Sequence, residues 1–115
     1  MTIPVVISGT GLWTPANTIT NEELVDAYNA HADLFNAENS SAIAAGEVAE
    51  KPHSSAGFIE KASGIKSRYA YIKDGILDVN RLKPNIPERA DDELSDQAEI
   101  AIKAAEIAMK AANKT

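Results

Sequence analysis

Leu94-Ser95-Asp96-Gln97-Ala98-Glu99-Ile100-Ala101-Ile102-Lys103-Ala104-Ala105-Glu106-Ile107-Ala108-Met109-Lys110-Ala111-Ala112 is the stretch on which the reading of the fold turns. Leu94, Ala98, Ala101, Ala105, Ala108 and Ala112 recur at steps of four and three, which places them on one face of a helix beginning at Ser95. Ile100, Ala104, Ile107 and Ala111 widen that face, and Ile102 and Met109 extend it. Only Glu99, Lys103, Glu106 and Lys110 form a polar stripe, with two Glu-to-Lys pairs at i,i+4. A helix apolar over most of its circumference belongs inside a larger body, so Ala98, Ala101, Ala105 and Ala108 are expected to be covered in a native fold. Three residues after it the sequence stops, before the strand to which such a helix would return. The expectation is therefore an incomplete α/β domain.

Working back from that helix, residues 73–94 read as a connecting loop, opened by the turn signal Lys73-Asp74-Gly75, with one helical turn near Val79 to Leu82. Lys66 to Ile72 have strand composition, with Tyr69 and Tyr71 on one face. Before them, Ser54 or Ser55 caps a short helix carrying Phe58, Ile59 and Ala62, which Gly64 ends. Residues 37–53 are small and polar, punctuated by Gly46 and Pro52, and read as an insertion. Thr20-Asn21-Glu22-Glu23 is a capping box, and Leu24, Val25, Tyr28, Ala32 and Phe35 carry a helix from Asn21 to about Asn36. At the amino terminus Val5, Val6 and Ile7 form the short apolar run of a strand buried on both faces, broken by a tight turn at Gly9-Thr10-Gly11.

Composition narrows the function classes. The 115 residues make one domain, 44% hydrophobic and 24% charged, but 20 of the residues are alanine. Alanine buries little surface, at ~25 cal/mol per Å², against an ordering cost on the order of 1.5 kcal/mol per residue. The net charge of −6 disfavours nucleic acid and anionic membrane as partners. With no cysteine, the chain holds no disulfide, thiolate metal site or thiol nucleophile. No basic leader and no run of ~20 apolar residues is present, so a cytoplasmic protein is expected. His31 and His53 have no second ligand at metal spacing and read as surface residues, so no metal and no cofactor is expected. Asp91-Asp92-Glu93 complements the dipole of the last helix. Gly9-Thr10-Gly11 lacks the third glycine and the helix start of a dinucleotide-binding loop. No Ser-His-Asp, Cys-His or paired-carboxylate arrangement is present.

Three blocks, in order along nearly the whole chain, carry a family resemblance. Ile7-Ser8-Gly9-Thr10-Gly11-Leu12-Trp13-Thr14-Pro15 with Thr20-Asn21-Glu22-Glu23-Leu24 is the first. Phe58 to Tyr69 is the second, and Asp92-Glu93-Leu94-Ser95 with the alanine-rich helix is the third. Together they resemble the amino-terminal portion of β-ketoacyl-acyl-carrier-protein synthase III, in a form with an insertion after the first helix. The resemblance implies an α/β chain that is the incomplete amino-terminal part of a thiolase-like αβαβα fold, over residues 1–115. It implies an acyltransferase of fatty acid biosynthesis and lipid metabolism, acting as a cytoplasmic homodimer. Such a condensing enzyme joins an acyl group, from acyl-CoA or an acyl-acyl-carrier protein, to malonyl-acyl-carrier protein with loss of CO₂.

The family's catalytic cysteine, histidine and asparagine fall beyond this chain, so no catalytic residue is expected here and the fragment alone is expected to be inactive. Positions that line the CoA entrance in the family fall on Phe58, Ala62 and Ser63. Ala62 replaces an arginine, which weakens the case for CoA as donor. Phe58 reads equally as an anchor of its own short helix. The rival reading is a non-catalytic binding or regulatory module that pairs with a synthase or an acyl carrier protein.

Overall fold

The computed structural model describes residues 2–114, in the order β1 (Asn17–Thr20), α1 (Asn21–Glu38), α2 (Ser40–Ala44), α3 (Ala56–Ser63), β2 (Ser67–Ala70) and α4 (Asp96–Ala111). The result is a mixed α/β chain with few strands, compatible with part of a thiolase-like fold. It divides into two units: residues 15–86, and the residues up to Thr14 together with those from Pro87 onward. No helix among the described residues is long and apolar enough to cross a membrane.

In the unit of residues 15–86, β1 and β2 pair antiparallel, with Thr18 opposite Tyr69 and Ile19 opposite Arg68. Ile19 is 2% exposed and joins Val25, Ala27 and Ala32 of α1 as the buried apolar residues. The expected capping box forms in full: the Glu23 amide donates to Thr20 Oγ1 at 3.1 Å, and the Thr20 amide donates to Glu23 Oε2 at 2.8 Å. Asn21, equally buried, uses its backbone amide and both side-chain polar atoms. Its amide nitrogen donates to Lys66 O at 3.0 Å, Nδ2 donates to Ile65 O at 2.6 Å, and Oδ1 accepts from Arg68 Nη2 at 2.6 Å. One asparagine thereby ties the start of α1 to the strand that follows α3. The Ser55 hydroxyl caps α3, and Gly64 ends it at φ 73°, a conformation that side chains with a Cβ resist. β1 was not expected. Its single buried apolar residue, Ile19, is too little alternation to mark a strand.

In the other unit the expected buried strand is corrected. Val5, Val6 and Ile7 are 91%, 87% and 87% exposed and pair with no strand among the described residues. An apolar run becomes a buried strand only where neighbours supply ladder partners. The glycine turn is also corrected, because Gly9 and Gly11 lie flat against α4 instead. A Cβ on Gly9 would sit 2.5 Å from Ala108 O and 2.7 Å from Ala112 N, and one on Gly11 would meet Ala104 O. Glycines on one side and alanines on the other let two backbones approach. α4 itself forms as expected, with Ser95 Oγ accepting from the Ala98 amide. Arg89 holds its first turn, reaching Asp96 at 2.7 Å, Glu99 at 2.8 Å and Leu94 O at 2.6 Å. The face expected to be covered is covered only in part: Ala98 and Ala108 are half-buried, while Ala101 and Ala105 are exposed.

Candidate functional site

Three polar side chains of α1 share one task. Asn29, Asp33 and Asn36 lie at steps of four and three along the helix and so share a face. Asn29 Nδ2 donates to Ser54 O at 3.1 Å while its Oδ1 accepts from the Ser54 amide at 2.8 Å. Asn36 does the same for Lys51, with both bonds at 2.9 Å. Between them His53 Nε2 meets Asp33 Oδ1 at 2.6 Å. Residues 51–54 are thereby fastened along α1 as a strap, although they have no secondary structure of their own.

His31 adds a second tie. Its Nδ1 lies 2.8 Å from Val79 O, and since a carbonyl only accepts, Nδ1 carries the proton. Lys51 Nζ stands 3.5 Å from the other ring nitrogen and 4.2 Å from the centre of the Phe35 ring. His53 is exposed, as expected, while His31 is half-buried, and each ties a connecting segment to α1.

The strap walls an open cavity of about 890 Å³. α1 contributes Leu24, Val25 and Tyr28 to it, the strap contributes Pro52, His53 and Ser54, and Ser55, the cap of α3, follows them. Phe58 and Ile59 of α3 face them, and Ile76 and Leu82 of the following loop close the lining. No lysine, arginine or carboxylate is among these residues; the titratable ones are Tyr28 and His53. Of the three positions expected to touch substrate, Phe58 lines the cavity and is 66% exposed, which makes it no core anchor. Ala62 and Ser63 are exposed and outside the lining. The Ser63 hydroxyl donates to Ile59 O at 2.7 Å and accepts from the Ile65 amide at 3.2 Å, so it serves the end of α3. The remaining wall residues escaped sequence reasoning. The signal that could have found them is the polar stripe Asn29-Asp33-Asn36, too dense for a helix face left to water alone.

The arrangement is suited to binding. The chain has no thiol, and the Ser55 hydroxyl is taken up by the Phe58 amide. Among the described residues no three metal-ligating side chains gather.

No family model matches the sequence. A curated protein of Pseudomonas aeruginosa, a beta-ketodecanoyl-[acyl-carrier-protein] synthase, is 43% identical over 91 residues. That match covers 79% of this chain and 26% of the relative, so the chain spans about a quarter of the relative's length. By sequence the chain resembles the amino-terminal portion of the β-ketoacyl-acyl-carrier-protein synthase III-like proteins.

Proposed function

We propose that the chain is part of a 3-oxoacyl-acyl-carrier-protein synthase III-like enzyme of fatty acid biosynthesis, a cytoplasmic homodimer with the thiolase-type fold. In this reading a cysteine outside these 115 residues attacks an acyl thioester and releases the donor thiol. Malonyl-acyl-carrier protein then loses CO₂, and the resulting carbanion attacks the enzyme-bound acyl group. The product is a β-ketoacyl-acyl-carrier protein, and the thiolate is regenerated. The observation that carries the reading is the 43% identity over 91 residues. The relative's name points to a medium-chain acyl group as the substrate class. Residues 15–86 would supply donor contacts, with Phe58 at the cavity and Ala62 and Ser63 flanking it on α3.

The test has two parts. The gene is sequenced through the codon for Thr115, and the protein it encodes is assayed with malonyl-acyl-carrier protein and octanoyl thioesters. The expected outcome is a reading frame that reaches a cysteine, and a product extended by two carbons. A stop codon directly after Thr115, with no product, would move the weight to a binding module. The 115-residue chain alone, incubated with an acyl-CoA, should keep its intact mass, because it has no cysteine to acylate.

A further inference from the structure

Lys51 faces an imidazole where Lys66 and Lys73 face carboxylates. Lys66 reaches Glu60 at 3.6 Å and Lys73 reaches Glu23 at 2.9 Å, but Lys51 pairs with no carboxylate among the described residues. Asp33, the acidic side chain on the face of α1 that holds the strap, is already taken by His53 at 2.6 Å. Lys51 Nζ lies instead 3.5 Å from His31 Nε2. Because His31 Nδ1 donates its proton to Val79 O, Nε2 of the neutral ring presents a lone pair to the lysine. The gap is wider than a formed hydrogen bond, and a small rotation of the flexible lysine stem closes it. Both side chains are half-buried. A lysine beside a proton acceptor, with no anion to hold it as an ammonium, is an amine placed to react.

We propose that Lys51 is a carbamylation site, at which the side-chain amine adds reversibly to CO₂. The ammonium first gives one proton to solvent. The lone pair of the neutral amine then forms a nitrogen–carbon bond to CO₂, and one C=O electron pair moves onto oxygen. The second proton shed by the nitrogen goes to His31 Nε2, which acts as general base. The products are a lysine carbamate, with one negative charge, and the His31 imidazolium, with one positive charge. This balance selects CO₂ over other electrophiles. An acyl donor would leave a neutral amide and a half-buried imidazolium facing no anion, which is costly. The carbamate supplies that anion itself. Phe35 directs it: the ring centre lies 4.2 Å from Nζ, and the negative face of an aromatic ring turns a carboxylate away, toward His31. The inference stands without the synthase reading, although the condensation proposed above releases CO₂.

For the experiment, the 115-residue chain is equilibrated with carbon-13-labelled bicarbonate in mildly alkaline buffer, and carbamate is followed by carbon-13 NMR. The adduct is then fixed as an ethyl ester with a triethyloxonium salt and located by peptide mass spectrometry. The expected result is a saturable carbamate at Lys51, with the exposed Lys61 and Lys83 labelled far less. Lys51→Arg keeps the main-chain bonds to Asn36 and should abolish the signal. His31→Gln keeps a donor for Val79 O but offers no base, so occupancy should fall about tenfold, the worth of one charge-assisted hydrogen bond. Phe35→Leu removes the ring that favours the ammonium, and occupancy should rise about threefold. These two substitutions carry opposite signs, so a general loosening of the fold does not mimic the pair. Absence of any carbamate, equal labelling of the exposed lysines, or occupancy unchanged by His31→Gln would overturn the inference.

Discussion

Glu23 does three things with one carboxylate. Its Oε2 accepts from the Thr20 amide, its Oε1 accepts from Lys73 Nζ at 2.9 Å, and Lys73 also donates to Thr18 O at 3.0 Å. The hydrogen bond from Lys73, then that from the Thr20 amide, hold the Glu23 carboxyl below its ordinary value. A carboxylate depressed in the folded state contributes stability that is present above its unfolded value and is lost as pH falls through the folded one. Glu23→Gln should therefore melt earlier than the parent at neutral pH, and the gap should close on acidification, followed by circular dichroism at a series of pH values. A gap that widened in acid would contradict this account. Gly11 illustrates a different residue-scale constraint, imposed by space instead of charge. Gly11→Ala drives a methyl at the Ala104 carbonyl of α4, and should cost about 1–3 kcal/mol in denaturant unfolding.

At the scale of elements, stability is unevenly distributed. α3 has eight residues, too short to persist without its Ser55 cap and its Gly64 stop. The strap has no ladder at all and depends on side-chain amides. Asn36→Ala removes the acceptor of the Lys51 amide proton, whose exchange with solvent should accelerate by about tenfold or more while α1 amides stay protected. Equal acceleration along α1 would mean that Asn36 supports the helix and not the strap. Elements written locally were legible in sequence. The capping box at Thr20, the serine cap and glycine stop of α3, and the helix from Ser95 each follow from neighbours within four residues. What was not legible depends on distant partners: β1 exists because Ser67–Ala70 lies beside it, and the cavity wall exists because Asn29 and Asn36 reach residues 25 and 15 positions away, respectively. Phe58 was found from its place in a family pattern, while Leu24, Tyr28, Ile76 and Leu82 look like ordinary core residues until the walls are assembled.

For the molecule as a whole, the largest imbalance is between its charge and its exposed hydrocarbon. The net charge is −6, yet Ile3, Val5, Val6, Ile7 and Leu12 are all more than four-fifths exposed. Contiguous apolar backbone with unpaired hydrogen-bonding groups is a template for association. The purified chain should sediment with a mass that rises with concentration, and Val6→Lys should suppress the rise; a concentration-independent monomer would refute this. The strap has a quieter consequence. Asn29 and Asn36 grip main-chain atoms of Ser54 and Lys51, atoms that every residue except proline offers alike. Such a grip does not read the identity of the side chains it holds. Positions 51 and 54 can therefore exchange for any residue but proline, over evolutionary time or in a mutant library, without loosening the strap. Ligand preference and wall stability are thus inherited separately.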